Sequence, residues 1–267
     1  IPTLLVSALF SKRQVFFKSW GGFMRRSLTA FSHFFVQDGN SKELLATIDF
    51  DNVTVSGDTR FERVSEILKR DNSLAFMDSF KQDHLCFVAG STWQEDEDVI
   101  LDFINHAPHN VKTIIAPHDI KKSHIEKLVG GISKSVILFS EIEGRDLSTV
   151  DILVVDTIGI LTKIYSYADM AYVGGGFATG LHNTLEPAVF GIPVIIGPNY
   201  SGFKEAEDLV LEKGILVVTN PSDFNSIMEG FLKDSDFRTR TGNINTQYIS
   251  KNQGASDLII KYIRTLL

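Results

Sequence analysis

The chain has 267 residues, of which 43% are hydrophobic and 22% charged, and its formal net charge at pH 7 is −7. This length and composition exclude an intrinsically disordered chain and allow either one large core or two smaller ones. The negative charge argues against general nucleic-acid binding, and no apolar stretch approaches the ~18–20 residues of a membrane-spanning helix. The single cysteine, Cys86, excludes an intrachain disulfide, and its apolar neighbours favour a small buried side chain over a nucleophile.

Short apolar runs recur along the chain and predict β-strands. They lie at residues 3–9, 85–89, 113–116, 136–139, 152–155, 170–173, 194–196 and 215–218. Between most of them are amphipathic stretches long enough for a helix, for example residues 96–105 and 123–128. Apolar strands that alternate with helices are typical of a parallel sheet covered on both faces, so the sequence predicts an α/β fold.

The first part of the chain differs from the rest. Residues 1–70 hold fewer elements than a whole domain requires: one strand, a helix around residues 12–31, and the apolar runs 33–37 and 53–56. We interpret this part as the remainder of a first α/β domain whose beginning is absent from the sequence.

The polar stretch at residues 68–73 predicts a domain boundary, and the regular series of strands begins near residue 84. We therefore assign residues 71–250 to a second domain and residues 251–267 to a terminal helix. One side of that helix is predicted to carry the apolar side chains Leu258, Ile259, Tyr262, Ile263 and Leu266.

The segment 173–198 is the most informative part of the sequence. A strand runs into the glycines 174–176, a helix is predicted to open at residues 182–184, and a second strand follows at 194–196. Such a turn lets backbone N–H groups of Gly175 and Gly176 approach an anion, which the helix dipole would favour. Glu186 lies in the first helical turn and could accept hydrogen bonds from ribose hydroxyls. The segment predicts a pocket for the phosphate and sugar of a nucleotide, although glycines after a strand are often only a turn.

Three further loops follow strands and meet the same edge of the predicted sheet. Gly90-Ser91-Thr92 could bind a ligand or simply cap the next helix. His118, in Pro117-His118-Asp119, could contact a phosphate or a sugar carboxylate, or be an ordinary surface residue. Gly159, in Asp156-Thr157-Ile158-Gly159, could contact a base or form a turn. Ligands of parallel α/β sheets bind at the carboxyl ends of the strands, which favours the ligand interpretation for the Gly90 loop and for the loop at residues 174–184. For the Gly159 loop, a turn is the favoured interpretation.

The segment 10–31 mixes basic with aromatic residues and contains no acidic residue, which suits an anionic lipid or membrane surface. The alternative is an amphipathic helix with its aromatic side chains in the core. The candidate lipid contacts are Lys12, Arg13, Phe16, Phe17, Lys18, Trp20, Arg25 and Arg26. The seven histidines are scattered, and no metal site is predicted from them.

Taken in this order, these pieces resemble the bacterial Kdo transferases, which attach 3-deoxy-D-manno-octulosonic acid (Kdo) to the lipid A precursor. The resemblance rests on Gly57-Asp58-Thr59-Arg60-Phe61, Gly90-Ser91-Thr92 and Asp156-Thr157-Ile158-Gly159. Its specific part is His182-Asn183-Thr184-Leu185-Glu186-Pro187, followed by Gly191-Ile192-Pro193 and Gly197-Pro198.

The resemblance implies a GT-B-type glycosyltransferase with two Rossmann-like domains, here a truncated N-terminal acceptor domain and a complete C-terminal donor domain. It implies CMP-Kdo as donor, a lipid A precursor as acceptor, no cofactor, no nucleic-acid partner and a place at the cytoplasmic face of the inner membrane. The donor-binding residues would be Gly90, Ser91, Thr92, His118, Gly159, Gly175, Gly176, His182, Asn183 and Glu186.

The chain also departs from the family pattern. The family usually carries Pro-Arg-His where this chain has Pro117-His118-Asp119, and Gly-Gly-His-Asn where it has Gly180-Leu181-His182-Asn183. No residue matches the catalytic glutamate of the family's Gly-Glu motif. We therefore expect this chain alone to bind donor without transferring Kdo. The alternatives are a UDP-sugar transferase or epimerase of the same fold, and a non-catalytic lipid-binding module.

Overall fold

The computed structural model describes residues 1–178 and 180–266. Within those residues the chain forms two compact units: the first unit comprises residues 1–66 and 250–266, and the second unit residues 67–249. The boundary predicted at residue 70 is found a few residues earlier, inside a 3₁₀ turn at Glu66–Lys69. Leu267, the last residue of the predicted terminal helix, lies outside the described residues.

The described residues of the first unit contain a parallel sheet of three strands. The strands are β1 (Leu4–Ala8), β2 (His33–Val36) and β3 (Val53–Val55), and they pair in that order. The helices are α1 (Gly22–Leu28), α2 (Gly39–Ala46), α3 (Arg60–Ser65) and a terminal helix (Ala255–Arg264). Phe34 and Leu45, both fully buried, lie at the centre of a core that α2 helps to close.

The single helix predicted around residues 12–31 is wrong. The structure has a 3₁₀ turn at Val15–Phe17 and then the short helix α1. The chain folds back at Gly21, where a Cβ would lie 1.9 Å from the carbonyl oxygen of Val15. Arg25 fixes this turn, because its Nε and Nη2 donate to the carbonyl oxygens of Phe16 and Lys18 at 2.6 and 2.7 Å.

The terminal helix contacts the sheet of the first unit along a narrow stripe. Ile259 is buried, and the Tyr262 ring stacks on His33 at a centroid distance of 4.4 Å. Leu258, Ile263 and Leu266 are 47%, 37% and 42% exposed. The buried and half-buried side chains follow an i, i+4, i+7 spacing from Ala255, and these three apolar side chains lie outside that stripe.

The second unit contains the regular alternation of strands and helices that the sequence predicts. Its strands are β4 (Leu85–Thr92), β5 (Val111–Pro117), β6 (Val136–Leu138), β7 (Ile152–Val154), β8 (Met170–Val173), β9 (Val194–Ile196) and β10 (Ile215–Val217). Its helices are α4 (Ala75–Lys81), α5 (Gln94–His106), α6 (Lys122–Gly130), α7 (Leu161–Ile164), α8 (Leu185–Ala188), α9 (Lys204–Glu212), α10 (Pro221–Lys233) and α11 (Ser235–Lys251).

In the described part of the second unit, seven strands form one sheet in the order β10-β9-β8-β4-β5-β7-β6, and every pairing is parallel. The α/β prediction with a parallel sheet is confirmed. Strand β4 pairs with β5 on one side and with β8 on the other, so the winding direction reverses between β4 and β8. A crevice at such a switch point is where open α/β sheets bind ligands.

A continuous core lies between the sheet and helices α5 and α10. Phe224 is fully buried, and its ring lies within 6.0 Å of the rings of Phe87, Phe103 and Tyr172. Among residues 1–178 and 180–266, no helix combines the length and apolar composition needed to cross a membrane.

Candidate functional site

The loops that follow β4 and β8 lie on either side of the switch point and touch each other. A Cβ on Gly174 would lie 2.2 Å from the carbonyl oxygen of Ser91, so only glycine lets the two loops come this close. Ser91 has a positive φ of 55°, an uncommon conformation for a side chain other than glycine. Backbone strain of this kind clusters at ligand sites, where surrounding contacts hold it.

Asp96, fully buried in the first turn of α5, joins the two loops. Its Oδ2 accepts hydrogen bonds from the backbone N–H groups of Trp93 at 2.9 Å and Gly175 at 2.8 Å. Its Oδ1 accepts from the hydroxyl of Tyr172 at 2.6 Å, and burial is the first cause of the raised pKa of that tyrosine. Asp96 is not among the predicted site residues; its place three residues after the N-cap of α5 is the signal that could have indicated it.

The Asp96 network corrects two expectations. The N–H of Gly175 was predicted to approach a ligand anion, but it donates to Asp96 instead. The N-cap of α5 is Trp93, and neither Ser91 nor Thr92 caps that helix. The hydroxyl of Thr92 donates instead to Oε1 of the buried Glu97, at 2.9 Å.

Glu97 extends this polar network from Thr92 to helix α6. Its Oε1 also lies 3.1 Å from Nε2 of His124, while Oε2 is buried without a hydrogen-bond partner among the described residues. Burial raises the pKa of the Glu97 carboxyl, against the lowering effect of Thr92 and His124. Because the Glu97 carboxyl group accepts the hydrogen bond of Thr92, the last residue of β4, it fixes the end of that strand.

Trp93, His118 and His182 form a cluster of three rings at this edge. The His118 ring lies 4.5 Å from each of the other two rings, and the indole Nε1–H of Trp93 donates to Nε2 of His182 at 3.2 Å. His182 is half-buried and His118 is exposed. The pKa of His182 is lowered, first by burial and then by the neighbouring His118, while Asp96 acts in the opposite direction.

Glu186 is half-buried and links the loop after β8 to helix α7. Its Oε2 accepts from the hydroxyl of Thr162 at 2.8 Å, and its Oε1 accepts from Nδ2 of Asn183 at 3.0 Å. Asn183 also accepts, through Oδ1, from the N–H of Leu185 at 3.1 Å. A carboxylate oxygen can accept more than one hydrogen bond, so Glu186 retains capacity for ligand hydroxyls.

The helix predicted to open at residues 182–184 is a single turn, α8, that begins at Leu185. Four residues do not build a substantial helix dipole, so the predicted dipole contribution to anion binding is wrong. The backbone packing of the loop after β8 also requires glycine at two positions. The Cβ of a residue at 176 would approach Gly197 Cα within 2.8 Å, and Gly175 has a φ of +91°.

The loop after β7 lies at the same edge of the sheet, because all strands are parallel. Asp156 accepts from the N–H and the hydroxyl of Ser140, at 2.9 and 2.5 Å, and so fixes its own loop. Gly159 has a φ of +100° in open space, as a turn requires. Ile158 beside it is 83% exposed and offers an apolar surface at the rim.

The basic and aromatic residues near the N-terminus have divided roles. Phe16 and Phe17 pack against the core of the first unit, where their rings make edge contacts with the buried Phe10. Lys18 and Arg25 are half-buried. Lys12, Arg13, Trp20, Phe23 and Arg26 are exposed, and we call these five residues the basic–aromatic surface.

Comparison with known proteins agrees with the motifs. A family model described as 3-deoxy-D-manno-octulosonic-acid transferase (kdotransferase) matches residues 1–63. The chain is 26% identical over 242 residues to a 3-deoxy-D-manno-octulosonic acid transferase of Haemophilus influenzae, covering 86% of this chain and 56% of that protein. It is 31% identical over 216 residues to that of Chlamydophila psittaci, covering 78% and 48%. The chain thus spans about half the length of the curated relatives it matches.

Two solved structures show the fold. The C-terminal CMP-Kdo binding domain of WaaA from Acinetobacter baumannii matches with a TM-score of 0.57 at 17% identity, covering 71% of this chain and 96% of that domain. The UDP-GlcNAc 2-epimerase from Neisseria meningitidis, bound to UDP-GlcNAc, matches with a TM-score of 0.68 at 14% identity, covering 99% and 70%. The resemblance to the Kdo transferases and the GT-B-type α/β fold are both confirmed.

Proposed function

We propose that this relative of the Kdo transferases binds CMP-Kdo at the switch point of its seven-stranded sheet, as part of a glycosyltransferase that moves Kdo to a lipid A precursor. The observation that carries the proposal is the joining of the loops after β4 and β8 by Asp96 and by the bond from Trp93 to His182. A CMP-Kdo binding domain among the structural matches and transferases among the relatives support the choice of donor.

In this proposal each loop contacts one part of the donor. The phosphate meets the hydroxyl of Ser91 and the backbone N–H of Gly176, and the ribose hydroxyls donate to Glu186. The cytosine rests at the rim beside Gly159, where Ile158 supplies an apolar surface. The Gly175 N–H takes no part, because Asp96 already accepts from it.

The reaction follows from these contacts. A carboxylate base, which no residue of this sequence matches, would deprotonate the acceptor hydroxyl, and the sugar would be transferred with inversion. The CMP phosphate would leave with a negative charge that the preorganised donors at the two loops stabilise. Such donors typically contribute about 3 kcal/mol each to the transition state.

The anionic acceptor and the membrane are proposed partners of the basic–aromatic surface. Exposed cations attract anionic headgroups, and the exposed rings of Trp20 and Phe23 can insert at the level of the headgroups. A peripheral position at the inner membrane would bring the lipid A precursor to the enzyme. Binding to vesicles that contain anionic lipid, weakened by salt, is the expected behaviour.

A UDP-sugar enzyme is the second candidate. The likeness to the epimerase bound to UDP-GlcNAc, at a TM-score of 0.68, favours it as far as the fold is concerned. The two candidates differ in the nucleotide that the second unit would prefer.

Calorimetric titration of the chain with CMP and with UDP tests the proposal. We expect CMP to bind more tightly than UDP, and Glu186→Ala to weaken CMP binding by about tenfold or more, because hydrogen bonds to a carboxylate are lost. Glu126→Ala is the matched control, since Glu126 is exposed and paired with Lys122 on α6. Tighter binding of UDP would favour the second candidate, and no binding of either nucleotide would contradict the donor site.

A further inference from the structure

The hydrogen bond between Trp93 and His182 determines which ring nitrogen of His182 carries the proton. An indole Nε1–H can only donate, so Nε2 of His182, 3.2 Å away, must be an unprotonated acceptor. A neutral imidazole whose Nε2 is unprotonated carries its proton on Nδ1. Free neutral histidine favours the other arrangement, with the proton on Nε2, so this pairing selects the rarer tautomer.

Protonation of His182 would break this arrangement. The imidazolium has a hydrogen on both nitrogens, and its Nε2–H would then face the Nε1–H of Trp93. Burial and the adjacent His118 also oppose a positive charge on His182, and Asp96 is the acidic group that favours it. His182 is therefore kept neutral by the geometry of its neighbours.

We propose that Trp93 is a positioning residue that holds His182 in the neutral tautomer with the proton on Nδ1, so that His182 meets an anionic ligand as an oriented hydrogen-bond donor. The proposal deepens the donor site described above and rests on it for the identity of the ligand. Within this site, a neutral donor can hold a phosphate or carboxylate over a wide pH range without depending on its own titration.

The aromatic stack and the hydrogen bond are separable contributions of Trp93. Trp93→Phe retains a ring beside His118 and removes only the N–H group. His118→Gln removes the ring that lies against both Trp93 and His182, and it leaves the indole N–H in place. Trp20→Phe is the matched control, because Trp20 is 74% exposed in the first unit.

Two-dimensional NMR that correlates ring protons with ring nitrogens distinguishes the three states of His182, and the loss of signals in His182→Gln assigns them. We expect the Nδ1–H tautomer in the unmodified chain, in His118→Gln and in Trp20→Phe. In Trp93→Phe we expect a shift towards the Nε2–H tautomer and a higher pKa of His182. An Nε2–H tautomer in the unmodified chain, or a His118→Gln spectrum that matches that of Trp93→Phe, would overturn the proposal.

Titration with CMP links this role to binding. We expect Trp93→Phe to weaken CMP binding about three- to tenfold at pH 7, as expected for one misdirected hydrogen bond, and to make the affinity depend on pH between 6 and 8. If CMP fails to bind the unmodified chain, the proposed donor site fails, while the NMR spectra still decide the role of Trp93. Unchanged CMP affinity and pH profile in Trp93→Phe would contradict the positioning role.

Discussion

The two units bury their apolar side chains to different extents. In the described part of the second unit, the exposed large apolar side chains are Leu68, Ile158 and Leu211. The shorter first unit exposes many more, among them Trp20 and Phe23 at 74% and 83%. Large apolar side chains therefore mostly build the core in the second unit, whereas in the first unit many of them lie on the surface.

This difference teaches where ligands and partners can act. In the second unit the sheet and helices close the core by themselves, and the polar loops at the strand ends form the proposed site for a small ligand. In the first unit an apolar surface remains on α1 and on the terminal helix, and burial of such a surface would stabilise contact with a partner. The two proposals, a nucleotide site and a lipid-facing surface, follow this division.

The largest expected effect tests the closed core. Phe224→Ala should lower the free energy of unfolding by about 3–5 kcal/mol, because it opens a cavity among the rings of the core. Phe23→Ala should change it by less than about 0.5 kcal/mol, because the ring is exposed. Urea denaturation measures both, and equal losses would contradict the contrast between the units.

The second effect tests the polar core of the second unit. Asp96→Ala leaves the N–H groups of Trp93 and Gly175 and the hydroxyl of Tyr172 without their acceptor. We expect a loss of about 1–3 kcal/mol in stability and no measurable CMP binding, because the two loops separate. Asp98→Ala, on the exposed side of the same helix, is the control and should retain CMP binding.

A smaller effect tests the open surface of the first unit. Replacing Trp20 and Phe23 by serine should lower the binding of the chain to anionic vesicles several-fold, since exposed apolar area that could enter the membrane is removed. Vesicle co-sedimentation at two salt concentrations measures it. The replacements should leave the CMP affinity of the second unit unchanged. Vesicle binding that survives them would remove the basic–aromatic surface from the proposal.

The smallest effect compares one histidine in each unit. Burial is the first cause of the lowered pKa of both His33 and His182. The unfolded chain then binds protons that the folded chain does not, so both groups cost stability as the pH falls below 6.5. His33→Gln should reduce the loss of stability between pH 6.5 and 5, and chemical denaturation at a series of pH values measures it. A steeper loss of stability in His33→Gln than in the unmodified chain would contradict the lowered pKa of His33.

The placement of the loops that form the candidate site could be predicted from the sequence. Each apolar run became a strand, and parallel strands of one sheet end at one edge, so the loops at Gly90, His118, Gly159 and Gly175 had to lie on that edge. Asp96, by contrast, was hidden in the acidic run of α5, where any of four residues could have pointed inwards. Helix α11 was also missed, because it buries the polar Asn245, whose Nδ2 donates to the carbonyl oxygens of Ile192 and Gly214.

The sequence by itself determined the α/β class, the order of the strands along the chain and the motifs that resemble the Kdo transferases, because these depend on local periodicity and spacing. Only the tertiary structure decided which hydrogen-bond donors and acceptors remain available to a ligand. The N–H of Gly175 donates to Asp96, and Glu186 already accepts a hydrogen bond from Thr162. The hydrogen bond from Trp93 decides which ring nitrogen of His182 carries the proton. Hydrogen bonds between residues far apart in the chain depend on distances that no local pattern contains.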